Sequence, residues 1–152
     1  MRAFSVIMVG VVAAFGAPAA AADLRILDVK AYLFLERAGK LSDNVVGGPD
    51  LVNLPKGGGP DGDTATGVFI DFLFAGDRNS APKYATATID VTQTGKVGQP
   101  VVLHKAFANF IFGSTGLVHK ALFLENATCA SLDVDVQAGK TNKDVKLDFQ
   151  CP

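Results

Sequence analysis

Leu132-Asp133-Val134-Asp135-Val136 and Val145-Lys146-Leu147-Asp148-Phe149, bracketed by Cys129 and Cys151, decide the fold. Each run alternates apolar and polar residues at a period of two, the pattern of a strand with one face buried and the other in water. Leu132, Val134 and Val136 then share a face with Val145, Leu147 and Phe149, while Asp133, Asp135, Lys146 and Asp148 turn to solvent. The two runs read as a β-hairpin closed by a Cys129–Cys151 disulfide. Pairing Leu132 with Phe149, Val134 with Leu147 and Val136 with Val145 keeps the apolar side chains together. That register sets Asp135 opposite Lys146 and, at a small cost, Asp133 opposite Asp148. Ala138 to Lys143 is left as the turn, with Gly139 and Asn142 supplying its chemistry. Cys151 has the inward parity of Phe149, but Cys129 has the outward parity of Asp133. The bond therefore demands a bulge or strand break near Thr128 to Ala130, or a separate path for Cys129.

The rest of the chain supplies the sheet that this hairpin packs against. Leu27, Val29, Ala31, Leu33 and Leu35 alternate with Asp28, Lys30, Tyr32, Phe34 and Glu36, a strand pattern with the odd positions inward. Gly39 to Asp63 is loop sequence, with Gly47-Gly48-Pro49-Asp50, the run Lys56 to Asp63, and at most a short extended piece at Leu51 to Leu54. Val68, Ile70, Phe72 and Phe74 form the next inward face. Phe69 and Leu73 make its opposite face unusually apolar, which places this strand near the centre of its sheet or under cover on both sides. After a turn over Gly76 to Pro82, Ala85, Ala87, Ile89 and Val91 alternate with Thr86, Thr88, Asp90 and Thr92. Thr94 to Pro100 ends that strand. Val101 to Phe112 is read as a short strand running into a helical turn, because Leu103, Phe107, Phe110 and Ile111 share a helical face. Leu117 to Leu124 is a further strand.

Strands near residues 27, 68, 85, 101, 118, 132 and 145, with no long helical pattern between them, point to an all-β fold. The expected architecture is an antiparallel β-sandwich of about seven strands, immunoglobulin-like in arrangement, with the disulfide-closed hairpin at its C-terminal end. Residues 23–152 form a single domain. Residues 1–22 read as a signal peptide: a basic start at Arg2, an apolar run from Ala3 to Ala17, and a small-residue cleavage site at Ala20-Ala21-Ala22. The apolar run is shorter than a bilayer span and is interrupted by Gly10, Gly16 and Pro18, so no membrane span is expected after cleavage before Asp23.

Losing Arg2 leaves 13 basic against 15 acidic residues, close to −2, with no basic patch. Nucleic acid and acidic membrane surfaces are poor partners for such a chain. Export to the periplasm or beyond makes two cysteines a structural bridge rather than a metal or redox pair, and their spacing is not that of Cys-x-x-Cys.

No constellation for catalysis, a cofactor or a metal is assigned. His104 and His119 are the only histidines, too few for a three-histidine site. The Gly57-Gly58-Gly59-Pro60-Asp61-Gly62-Asp63 stretch lacks the acidic spacing of a calcium loop and is taken as a flexible solvated connection. Gly139-Lys140-Thr141 resembles the end of a phosphate-binding loop, but Val134 stands where that motif needs its first glycine. Ser114 belongs to the Gly113 to Gly116 turn, and the glycosylation pattern Asn126-Ala127-Thr128 is discounted beside an Ala-rich leader of bacterial type. The expectation is an exported, non-catalytic binding or envelope accessory module. Its unknown protein or small-molecule partner meets a sheet edge or the Asn44 to Asp63 loop. The rival expectation is an apolar-ligand carrier with a closed barrel, motivated by the Phe-rich stretches Val68 to Phe74 and Phe107 to Phe112.

Overall fold

Among the described residues, alternation becomes nine strands, separated where Gly, Pro and Asn permit turns: β1 (Arg25–Leu35), β2 (Lys40–Leu41), β3 (Leu51–Val52), β4 (Gly67–Ala75), β5 (Ala87–Gly95), β6 (Val101–Phe107), β7 (Leu117–Leu124), β8 (Ala130–Ala138) and β9 (Thr141–Gln150). The computed structural model describes residues 23–95 and 101–151; the leader assigned to 1–22 lies outside the described residues. The strands form two sheets, β2-β1-β4-β7 and β3-β9-β8-β5-β6, packed as a sandwich. Every pairing is antiparallel except that of the two-residue β3, which runs parallel to β9. The seven long strands are those expected. Their first, second and fifth share one sheet and their third, sixth and seventh the other, the immunoglobulin-type connectivity, with the fourth beside the third.

Val68, Ile70, Phe72 and Phe74 on β4 are fully buried, as are Ala31 and Leu33 on β1, Ala87 and Ile89 on β5 and Leu132 on β8. The phenylalanines pack on one another: Phe72 against Phe107 with ring centroids 5.9 Å apart, and Phe74 against Phe110 at 5.1 Å, both edge to face. These rings fill the space between two separate sheets, so the closed barrel expected of a carrier is not the architecture adopted.

Three local expectations are corrected. The β8–β9 register is displaced by two residues, pairing Leu132 with Leu147, Val134 with Val145 and Asp133 with Lys146, and leaving Asp135 opposite Asp144. The loop has only two residues, Gly139-Lys140, because a tight primed turn matches strand twist and Gly139 adopts the positive φ of 58° it needs. Asn142 is thereby drawn into β9 opposite Gln137. The parity-preserving shift keeps the same apolar residues inward. Second, a bulge between Ile26 and Asp28 buries Ile26 and turns Leu27 outward, at 45% exposure. Third, no helical turn follows β6: the chain crosses between the sheets irregularly over 108–113, burying Phe110 and Phe112 and exposing Ile111. Residues two apart fill the gap there, so the helical grouping with Ile111 is not realised.

The Gly57 to Asp63 stretch is also not the flexible connection expected, but the end of a longer tied segment, Gly39 to Asp63. It is a strap tied to both sheets. Ser42 and Val45 donate backbone N–H groups to Leu33 and Ala31, and the Asn44 side chain accepts from Ala31 N–H. Further on, β3 joins β9 and Leu54 is fully buried. The Asp63 carboxylate accepts three backbone N–H bonds, from Arg37 (3.0 Å), Ala38 (2.9 Å) and Thr64 (2.7 Å). Glycine permits the close folding: a Cβ on Gly58 would lie 1.9 Å from the Val52 carbonyl oxygen.

The Cys129–Cys151 disulfide forms, with Cα atoms 5.1 Å apart. Cys129 sits in a turn just before β8, the strand break its parity demanded. Cys151→Ser, with Cys129→Ser to avoid a free thiol, should cost about 3 kcal/mol in chemical unfolding, since the bond closes a loop of roughly 20 residues. Burial alone would raise the Asp63 carboxyl, but the N–H bonds from Arg37, Thr64 and Ala38 together hold it below its ordinary value. Its contribution is therefore complete above about pH 4 and lost as pH falls through the depressed value. Asp63→Ala should lower the thermal midpoint at neutral pH, and the gap from wild type should close in acid, as read by circular dichroism melts.

Candidate functional site

The two outer faces of the sandwich differ in chemistry, and strand register shows how. On the β2-β1-β4-β7 sheet, Tyr32, Phe69 and Phe123 are direct cross-strand neighbours. Leu41, Phe34 and Gly67 form the adjacent row, and Lys30, Asp71 and Ala121 the row on the other side. Phe34, Leu41 and Phe123 are 38, 43 and 49% exposed, and Tyr32, Phe69 and Leu73 are half-buried. Gly67 has no side chain to fill its place. Phe123 leans across it, with its ring 6.3 Å from Phe34 and edge-on, while Tyr32 lies 6.4 Å from Phe69. The result is an aromatic cluster open to solvent on a strand hydrogen-bonded on both sides.

Two close pairs of polar side chains flank this cluster. His119 Nδ1 is 2.9 Å from both Asp71 carboxylate oxygens, diagonally across β4 and β7. Lys143 Nζ lies 3.0 Å from Asp28, and its hydrogen bond holds the Asp28 carboxyl below its ordinary value.

The β3-β9-β8-β5-β6 sheet turns a polar face outward. One continuous row crosses four strands: His104, Asp90, Asp135 and Asp144. His104 Nδ1 is 2.6 Å from Asp90. Like charges directly opposite one another oppose folding. Partial desolvation, then Asp144 and the nearby Asp133 and Asp90, push the Asp135 carboxyl above its ordinary value. The sheet ends at β6, whose Val101 and Val102 are 64 and 62% exposed.

His104 and His119 thus stand on opposite outer faces, each engaged by one aspartate, a pairing that only cross-strand register reveals. Among the described residues, no group of three or more His, Cys, Asp and Glu is arranged to hold a metal ion. Asp63 is occupied by backbone N–H groups, so the glycine-rich segment carries a structural pin. Gly139-Lys140-Thr141 lies at the hairpin turn, where Thr141 accepts from Ile26 N–H and donates to the Ala138 carbonyl. Thr128 of the Asn126-Ala127-Thr128 pattern is buried and donates its hydroxyl to the Ala65 carbonyl. Among the described residues no helix is long and apolar enough to cross a membrane. Phe69 and Leu73 signalled the apolar face in sequence; Tyr32 and Phe34 were missed because alternation set them on the polar side of β1, and Phe123 because no face was assigned within Leu117 to Leu124. No protein-family model and no curated protein matches this chain.

Asp135→Asn should stabilise the protein at neutral pH. The native carboxylate's repulsion is present above its raised folded value and relieved as that group protonates, so the variant's advantage should disappear below about pH 4. Thermal midpoints of both proteins across that range read this difference.

Proposed function

We propose that the chain is an exported, non-catalytic binding or assembly module that works through the aromatic outer face of the β2-β1-β4-β7 sheet. The observation that carries this reading is the contrast between the faces. An exposed, contiguous apolar cluster on a monomer-sized domain marks a contact surface, and aromatic residues are the side chains that dominate contact energetics. Here Tyr32, Phe34, Phe69 and Phe123 lie together on one sheet, while the other presents Thr and Asp. A functional contact explains why β4 keeps Phe69 and Leu73 on its outer side when Val68, Ile70, Phe72 and Phe74 already complete the core side.

The non-catalytic part of the reading draws on His104 and His119 being held apart on opposite faces. The exported part draws on the leader pattern and on the disulfide, which is consistent with an oxidising, extracytoplasmic location. The partner surface moves from the Asn44 to Asp63 segment, which is engaged in holding the sandwich, to the sheet face.

Immobilised mature protein, exposed to the exported fraction of its own source, tests this. Wild type should retain a defined species that the Phe69→Lys/Phe123→Lys variant loses, with circular dichroism establishing that the variant is folded. Equal retention by both proteins would rule the aromatic face out as the contact surface.

A further inference from the structure

We infer that the aromatic face docks against the same face of a second copy, in a two-fold, face-to-face dimer with strands of the two sheets running in opposite directions. This rests on the reading of that face as a contact surface and identifies what occupies it. The first argument is charge placement. Lys30, Tyr32 and Phe34 of β1 and Glu36, in the turn that follows it, share the outward parity, so the aromatic pair is bracketed by one exposed cation and one exposed anion. Lys30 and Glu36 are six residues and about 20 Å apart, with the cluster midway between them. A two-fold axis lying in the plane of the interface, across the strands at the middle of the cluster, exchanges those ends. It lays Lys30 of each copy over Glu36 of the other and Tyr32 over Phe34.

Glu36 is prepared for this role. Its carboxylate accepts from Thr66 N–H at 3.1 Å and from the Thr66 hydroxyl, which fixes its position at the rim. Asp71 stands beside His119 and directly opposite Lys30, and Asp28 is ion-paired with Lys143. One cation and one anion placed symmetrically about an apolar centre make this strand complementary to its own reversed copy.

The second argument is size. The face is three long strands wide, roughly 14 Å at about 4.8 Å per strand, with the two-residue β2 at one edge, and about 30 Å long. That is on the order of 450 Å² in projection, which side-chain relief enlarges toward the roughly 500 Å² per partner that a specific interface needs. Two twisted sheets pack in aligned fashion at about 10 Å separation. The aromatic rows then form a desolvated centre, and Lys30 and Glu36 a polar rim.

Sedimentation velocity of the mature, oxidised protein over a concentration series tests the inference. Wild type should be a concentration-dependent dimer, and Phe69→Lys should be monomeric. Lys30→Glu should weaken the dimer at least about tenfold, roughly 1.4 kcal/mol, by facing Glu36 with a like charge, and adding Glu36→Lys should restore it. Melting curves monitor the fold of each variant, because Glu36→Lys also loses the Thr66 bonds. A wild-type monomer at all concentrations would overturn self-docking while leaving the contact-face reading to the retention experiment. A dimer that survives Phe69→Lys, or one that the paired charge exchange does not restore, would overturn the arrangement.

Discussion

The structure depends on β4 being hydrogen-bonded on both of its edges, to β1 on one side and β7 on the other. A strand held in this way cannot rotate, so its period of two is imposed on everything around it. Val68, Ile70, Phe72 and Phe74 are committed to the space between the sheets. Phe72 and Phe74 then position Phe107 and Phe110, which set the path of the chain as it crosses from β6 to β7. The same constraint commits Phe69, Asp71 and Leu73 to the opposite side. Core and exposed face are consequences of one alternation.

A sandwich made this way has edges that must be closed, and the chain closes one side with its glycine-rich segment. Ser42, Asn44 and Val45 satisfy the free edge of β1, β3 adds to β9, and Asp63 gathers the N–H groups of Arg37, Ala38 and Thr64. The disulfide acts at the neighbouring end, joining the turn before β8 to the residue after β9. On the other side β6 is left with one neighbour and is exposed along most of its length.

The asymmetry between the outer faces has an energetic side. Asp90, Asp135 and Asp144 in one row oppose folding, yet they keep that face hydrated and unsuited to association. The aromatic face has no such protection at its centre: its charges sit at the ends of the cluster or in local pairs with His119 and Lys143. The two outer faces therefore differ in charge and in exposed apolar surface.

The period-two patterns by themselves determined the all-β class, the seven long strands, the inward set on β4, β5, β8 and β9 and, through two cysteines near the chain's end, the disulfide. They did so because side-chain alternation is a local property of an extended backbone. Phe69 and Leu73 even disclosed that one strand had two apolar faces. Tertiary structure decided what depends on neighbours. A two-residue turn at Gly139-Lys140 displaced the hairpin register while preserving parity, and a bulge reversed Leu27. Packing between sheets drew Phe110 and Phe112 inward without a helix. Backbone bonds turned a glycine-rich loop into a strap. Only cross-strand register brought Tyr32, Phe34, Phe69 and Phe123 into one cluster, because residues nearly a hundred positions apart become neighbours when three strands align and not before.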